Sequence, residues 1–313
     1  MRQFAVVIRP ISPVVIASGS AAALLAVVGC SLAPPSMPRA ASSQPDPAAV
    51  ERGEYLVSAA NCRGCHTDKE HAGASFAGGK AIDTSFGAYY SRNITPDPAH
   101  GIGAWNGADF RQALREGISP GGAHYFPAFP FPSFTGMTDQ DIADIFAYLS
   151  VQRPDPRENR AHDVPFPYDV RLTMVIWRAQ YFEEGPMQPD PRLSAAWNRG
   201  AYLVTAVAHC ADCHSPRTAL GAVDSERRFN GGTLYGPGEK HAPNLTPDMA
   251  DGIGKWSLGD IATVLKTGIP PDGDPVVAPM SEVVEGTSKL TDADRLAIAT
   301  YLKSLKPLAG KGG

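Results

Sequence analysis

The amino-acid sequence predicts a mostly α-helical, loop-rich protein made of two tandem copies of one small domain, and three observations predict it. The pattern Cys62-Arg63-Gly64-Cys65-His66 returns as Cys210-Ala211-Asp212-Cys213-His214. Longer strings repeat around it: Arg52-Gly53-Glu54-Tyr55-Leu56-Val57 as Arg199-Gly200-Ala201-Tyr202-Leu203-Val204, and Phe76-Ala77-Gly78-Gly79 as Phe229-Asn230-Gly231-Gly232. Asn93-Ile94-Thr95-Pro96-Asp97 and Gly101-Ile102-Gly103-Ala104-Trp105 both return 151 residues later, as Asn244 to Asp248 and Gly252 to Trp256. Finally, 31 glycines and 29 prolines among 313 residues favour short helices joined by long loops.

Two cysteines separated by two residues and followed at once by histidine are what covalent haem c attachment requires. Each thiol closes a thioether to a haem vinyl group, and the adjacent imidazole reaches the iron. A lone Cys-x-x-Cys also reads as a thioredoxin-like pair or a zinc half-site, but zinc needs two further ligands and no second pair lies near either motif. Four of the five cysteines are consumed in this way, which leaves Cys30. We therefore expect two covalently attached haem c groups, bound by Cys62, Cys65, Cys210 and Cys213, with His66 and His214 as proximal iron ligands. In such small domains the haem stands in for part of the apolar core.

Taken in order, residues 1–30 read as a targeting segment. Arg2 and Arg9 precede an apolar or small run from Val14 to Gly29 that ends at Cys30, a pattern similar to a bacterial lipoprotein signal in which Cys30 is lipidated. A secretory signal cut near Ala40 and an uncleaved anchor are the alternatives, although the run is short for a span of roughly 20 residues and is broken by Ser18-Gly19-Ser20. All three place the body of the protein outside the cytoplasm. Residues 31–47, rich in Pro, Ser and Ala, read as a flexible linker. Residues 48–152 and 197–308 are the two repeated domains, a division that suits the length. The interdomain segment 153–196 contains an apolar stretch, Leu172 to Trp177 with Tyr181-Phe182, expected to pack the domains together. A net charge of −4 and a pI near 6.1 give no reason to expect nucleic acid as a partner.

Within each copy the pattern predicts an opening helix, the haem motif, a long loop, a middle helix, a second loop and a closing helix. The middle helices begin at Asn106 with Asp109 and at Ser257 with Asp260, both capping boxes, and end at Gly117 and Gly268. The closing helices begin at Thr138 and Thr291 and carry apolar residues at i, i+3, i+4 and i+7, namely Ile142, Ile145, Phe146 and Leu149, and Ile298, Tyr301, Leu302 and Leu305. Gly53 and Gly200, facing Tyr148 and Tyr301, let the opening and closing helices cross closely. This construction resembles the class I cytochrome c domain, and the resemblance extends over both repeats.

The sixth iron ligand differs between the copies. Met280, 66 residues after His214 and preceded by Pro279, stands where the resemblance implies a distal methionine, which raises the iron potential and leaves no open coordination site. The alternative for Met280 is a space-filling core thioether. Its counterpart in the first copy is Phe129, which cannot bind iron. Met137, His124 and Met174 are the candidates there, and Met137 is preferred because a short loop rearrangement suffices. If none binds, the first haem is five-coordinate. Asn93, Trp105, Asn244, Trp256 and Arg217 are candidate donors to the haem propionates. Ordinary turn and core roles are their alternative.

Taken together, these residues make the chain resemble the cytochrome c subunits of bacterial periplasmic dehydrogenases of the alcohol, gluconate or sugar, and aldehyde types. The resemblance runs from Ala48 to Leu305 and is strongest in Trp197 to Val204, Cys210 to Arg217, Asn244 to Trp256 and Met280, with Pro127-Ala128-Phe129-Pro130-Phe131 in the first half. It implies an electron relay without chemistry of its own. The implied partners are a dehydrogenase catalytic subunit, an acceptor that is a quinone, an oxidase or another cytochrome, and a membrane held through the lipid anchor. The departure at Phe129 keeps a dihaem enzyme, of peroxidase or thiosulfate-oxidising type, as the alternative.

Overall fold

A computed structural model describes residues 44–234 and 240–310; the reading of residues 1–30 and the lipidation of Cys30 lie outside them. Asp46 starts the first helix, α1 (Pro47–Ala59), by accepting the Ala48 N–H, with Pro47 at a position where a missing N–H costs nothing. Haem-motif helix α2 (Cys62–His66) follows. The middle helix α3 (Gly107–Glu116) and closing helix α5 (Asp139–Ser150) complete the first copy. The second copy repeats them as α7 (Ala195–Tyr202), α8 (Ala211–His214), α9 (Leu258–Thr267) and α11 (Asp292–Lys303). Asn106 and Ser257 form the expected capping boxes, and Gly117 and Gly268 end their helices at φ of 63° and 72°.

The opening and closing helices cross on glycine in both copies. A Cβ at Gly53 would lie 2.0 Å from the Asp144 carbonyl oxygen, and one at Gly200 would lie 1.9 Å from that of Ala297. Bidentate pairs from the neighbouring arginines, Arg52 to Asp144 and Arg199 to Asp294, lock the crossings.

Several elements were not foreseen. The long loops contain antiparallel pairs, β1 (Ala81–Thr84) with β2 (Gly87–Tyr90) and β3 (Gly232–Leu234) with β4 (Lys240–Ala242), too short for an alternation pattern to register. Short helices α4 (Phe131–Phe134) and α10 (Met280–Thr287) precede the closing helices, each entered through proline. Helix α7 runs into a π-turn, Leu203–Val207, because the second copy has one extra residue between its Tyr-Leu-Val string and its first cysteine. A π-turn absorbs such an insertion without rotating the residues on either side.

The interdomain segment forms helix α6 (Thr173–Tyr181). Trp177 is buried against Phe131 of the first copy and Ala222 of the second, and its indole donates to the Leu220 carbonyl at 2.9 Å. The copies also grip one another directly, and the grip is reciprocal. Tyr55 of α1 donates to Asp294 of α11 at 2.5 Å and accepts the Thr291 N–H at 3.1 Å. Tyr202 of α7 donates to Asp141 of α5 and accepts the Thr138 N–H at 3.1 Å. Each domain's opening helix thus supplies a phenol to the capped start of the other's closing helix. Leu56, Val57, Ile142 and Ile145 join Leu203, Val204, Val207 and Ile298 in one continuous apolar core.

A buried guanidinium props the turn before each closing helix, but it comes from different places. In the first copy Arg115 of α3, 2% exposed, donates to the carbonyls of Thr135 and Met137 and to Asp139. In the second, Arg295 of α11, 3% exposed, reaches the carbonyls of Thr287, Ser288 and Leu290 and the carboxylate of Asp292. The repeat counterparts of these arginines are Lys266 and Ile142. Among the described residues no helix is long and apolar enough to cross a membrane.

Candidate haem-binding sites

Each haem motif begins with a residue in left-handed backbone: Asn61 at φ 50° before Cys62, and His209 at φ 40° before Cys210. Asn and His tolerate this region better than most residues, and the turn throws the short motif helix off the opening helix. The loop beyond is tied back identically in both copies. Gly78 N–H donates to the His66 carbonyl and Gly231 N–H to that of His214, both at 2.9 Å. Phe76 and Phe229 are buried, at φ of 65° and 66°, and their N–H groups donate to the hydroxyl oxygens of Thr67 and Ser215.

All four motif cysteines are free thiols. Burial pushes Cys62, Cys210 and Cys213 up to about 12 and raises Cys65, so they stand as neutral sulfurs. The imidazoles are oriented alike: His66 Nδ1 meets the Arg92 carbonyl at 2.6 Å and His214 Nδ1 the Pro243 carbonyl at 2.8 Å. Burial lowers the pKa of both rings and the carbonyl bonds partly restore it, so each is neutral with its proton on Nδ1. That leaves the Nε2 lone pair for a metal, and the carbonyl fixes the tautomer and makes the nitrogen a better ligand. This donor set fits haem c. Among the described residues no cluster of His, Cys, Asp or Glu is arranged to hold a bare metal ion instead.

The two motifs converge at the domain interface. The residues that lead into them are in contact: His209 Nε2, just before Cys210, meets the carbonyl oxygen of Ala60, two residues before Cys62, at 3.3 Å. Lys80 bridges the copies, donating to the Gly64 carbonyl at 3.0 Å inside the first motif and to Glu282 of α10 at 2.5 Å.

The expected distal residues sit as follows. Met280 is the first residue of α10, partly exposed, on a helix tied to the first copy by Lys80–Glu282, by Lys69–Glu285 at 2.7 Å, and by Gly286, which abuts the Ser58 carbonyl. Met137 is fully buried in the common core, in the place taken by Leu290 in the second copy. Met174 packs with Phe131 and Trp177, and His124 has a buried Nδ1 without a hydrogen-bond partner. Phe129 stacks edge-on against Tyr125 and Phe134 at 5.5 and 5.6 Å.

The candidate propionate donors divide. Both N–H groups of the Asn93 amide are committed, to the carbonyls of Asp155 and Arg157 at 2.8 and 3.0 Å, while its oxygen accepts from Thr95. Asn244 likewise binds the carbonyls of Leu308 and Gly310 and the Thr246 N–H. These asparagines therefore clamp the segment that follows each domain, the turn-forming alternative for the Asn-x-Thr-Pro string, and have no donor left for a propionate. Arg217 braces the second motif, donating to the carbonyls of Asp212 and Gly221. Trp105 and Trp256 are half-buried on the core edge, and their indole N–H groups have no protein acceptor among the described residues, unlike those of Trp177 and Trp197.

Sequence reasoning missed the two carbonyls that orient the imidazoles. Their signal was present: Arg92 and Pro243 immediately precede the repeated Asn-x-Thr-Pro strings.

The family model for cytochrome c matches residues 50–152 and 198–306. Among characterised proteins, a subunit of nicotinate dehydrogenase from Pseudomonas putida is 41% identical over 259 residues, 83% of this chain and 21% of that protein. A diheme cytochrome c-type protein of Cereibacter sphaeroides is 39% identical over 262 residues, 81% of this chain and 85% of its own length. The fructose dehydrogenase cytochrome subunit of Gluconobacter japonicus is 38% identical over 282 residues, 88% of this chain and 57% of that subunit. The chain thus spans about a fifth of the first, most of the second and just over half of the third.

Proposed function

The chain belongs to the cytochrome c family, and from that premise we propose that it is a dihaem electron relay of a dehydrogenase complex, accepting electrons from a catalytic subunit and passing them to the respiratory chain. The observation that carries this reading is that the segments entering the two attachment motifs touch across an interface held by reciprocal tyrosines, which suits electron passage between two fixed centres. The dehydrogenase names of the relatives support the kind of donor, and a quinone, an oxidase or another cytochrome is the acceptor class. The protein has no substrate chemistry of its own in this reading.

The residues divide the work simply. Cys62, Cys65, Cys210 and Cys213 would hold the haems through thioethers, and His66 and His214 would offer Nε2 to iron. When bound, each haem supplies a one-electron ferric/ferrous couple. Met280 would offer its thioether sulfur to the iron at the second site and Met137 at the first. Cys30 carries the lipid that keeps the protein on the periplasmic face of a bacterial membrane.

Low-temperature electron paramagnetic resonance and near-infrared spectra of the oxidised protein test the ligand assignment. Two low-spin His/Met haems are expected in the wild type, with one lost in Met280→Ala and the other in Met137→Ala. A high-spin haem in the wild type that binds cyanide or peroxide would remove Met137 from its role and turn the first site into a catalytic one. Reduction of both haems by a substrate-loaded dehydrogenase catalytic subunit that co-purifies with this chain checks the relay itself. A cytochrome that stays oxidised in that mixture refutes it.

A further inference from the structure

Beside the first haem motif lies a group of donors that the ligand set does not use. Arg92 leaves the chain at the carbonyl that orients His66, and its guanidinium turns toward the Arg160 carbonyl at 3.2 Å and His162 Nε2 at 3.5 Å. Arg171 comes from the interdomain segment. It donates to the His124 carbonyl at 2.6 Å, and its guanidinium carbon lies 4.8 Å from the centre of the Phe126 ring. Arg52, Arg115, Arg199 and Arg295 each have a carboxylate partner. Among the described residues no carboxylate stands at ion-pair distance from Arg92 or Arg171.

The neighbours make the lack of a carboxylate sharper. His162 Nδ1 accepts the Tyr90 N–H at 3.1 Å, and the ring is enclosed by Tyr89 and Phe126 at 5.2 and 6.1 Å. Burial, then Arg92 and Arg171, hold this imidazole down to about 4, so it is neutral with its proton on Nε2. The Arg92 guanidinium and His162 Nε2 are therefore two donors facing each other with no acceptor between them. Burial keeps the Tyr125 phenol protonated, pushed up to about 12 against the pull of both guanidiniums. Arg92 and Arg171 flank the same two rings: His162, 3.5 Å from the Arg92 guanidinium, packs against Phe126, over which Arg171 lies. A group of cations and donors of this kind is completed by an anion with two oxygens.

Its position says which anion. Arg92 belongs to the loop that holds the proximal imidazole. Arg171 is tied to the loop running through His124 to Phe129, the counterpart of Met280 and so the distal side. The pair spans one edge of the space between those sides. We propose that Arg92 and Arg171 form the carboxylate-binding edge of the first haem site, holding a haem propionate with the Tyr125 hydroxyl as a further donor. This rests on haem attachment at Cys62 and Cys65. At the position of Arg92 the second copy has Pro243, and the interdomain segment that supplies Arg171 occurs once. The pair makes the first haem easier to reduce than it is without the two positive charges.

Spectroelectrochemical titration of the holoprotein at fixed ionic strength tests this, on the wild type, Arg92→Gln, Arg171→Gln and the two Lys variants. A Met280→His background, which gives the second haem its own spectrum, identifies which haem responds. In each Gln variant the first haem is expected to become about tenfold harder to reduce, ~59 mV for a one-electron couple, with the second unmoved. The Lys variants, which keep the charge and lose the forked geometry, fall by less. They also carry the test if a Gln variant fails to fold, since an unchanged first potential in both Lys variants overturns the proposal. Equal movement of both haems, or movement of the second alone, overturns it as well. So does a wild-type first potential that titrates with added acetate while the Gln variants ignore it, which would make this a site for free anions. Failure of the underlying reading shows separately, as fewer than two haems per wild-type chain in the pyridine haemochrome assay.

Discussion

Replacing Gly200 by alanine puts a methyl carbon where the fold has the backbone of another helix. The new Cβ would stand 1.9 Å from the Ala297 carbonyl oxygen, 2.5 Å from its carbonyl carbon and 3.0 Å from the Tyr301 Cβ. A close carbon–oxygen contact in proteins is about 3.3 Å, so α7 and α11 must part by more than an ångström, and a helical carbonyl cannot swing aside as a side chain can. Overpacking of this kind costs about 1–3 kcal/mol and is felt at its upper end where backbone is struck. The better helix propensity of alanine returns about 1 kcal/mol. A net loss of about 2 kcal/mol lowers the melting temperature of a protein this size by about 3 °C. Gly53→Ala, at 2.0 Å from the Asp144 carbonyl, should behave the same way. Gly107→Ala is the control: it opens α3 with nothing within 4 Å of the added methyl, and should hold or raise stability by about 0.5 kcal/mol. Thermal unfolding of the holoprotein followed by far-ultraviolet circular dichroism separates the cases. Gly200→Ala and Gly107→Ala melting together would refute the close crossing.

Three further outcomes are expected. Tyr55→Phe and Tyr202→Phe each remove one phenol from the domain exchange and should each cost about 1 kcal/mol in urea unfolding; a midpoint equal to wild type in both would mean that the exchange does not form in solution. Arg115→Met leaves the buried carbonyls of Thr135 and Met137 without a donor and should cost about 3 kcal/mol, whereas Arg111→Ala, which breaks only an exposed pair with Asp139, should cost under ~0.5 kcal/mol. The same urea titration checks both, and equal losses would contradict the burial of Arg115. The hydrogen bond from Arg52 holds the Asp144 carboxyl below the usual carboxylate range. Its contribution is present above the unfolded value of ~3.9 and disappears as pH falls through the lower folded value, because there the unfolded chain binds more protons. Asp144→Asn should therefore flatten the acid limb of the stability curve, and an unchanged limb in acid titration would count against the pair.

The duplicated architecture was legible because its determinants are local and strong: a fixed cysteine–histidine spacing, capping residues at four helix starts, and glycines at two helix crossings. The π-turn was legible in principle, since the offset between copies grows from 147 at Arg52 and Arg199 to 148 at the first cysteines. What the sequence hid was hydrogen-bond traffic. Asn93 and Asn244 look like free donors in a string, and only the folded chain brings the carbonyls of Asp155 and Leu308 to them. The imidazole-orienting carbonyls are main chain, so any residue could supply them, and Arg92 and Pro243 have nothing in common as side chains. Arg171 lies in a segment that read as apolar packing, and its meeting with Arg92 depends on how that segment folds back.

The props beneath the closing helices have a consequence for the history of the chain. Arg115 comes from a middle helix and Arg295 from a closing helix, yet both serve the same turn of the repeated domain. A shuffled domain joining the first copy's middle helix to the second copy's closing helix would bring two guanidiniums to one set of carbonyls. The opposite shuffle would leave Lys266 and Ile142 and no guanidinium at all. Recombination between the repeats is thus penalised in both directions, and the halves of an ancestral duplication have become parts that no longer interchange.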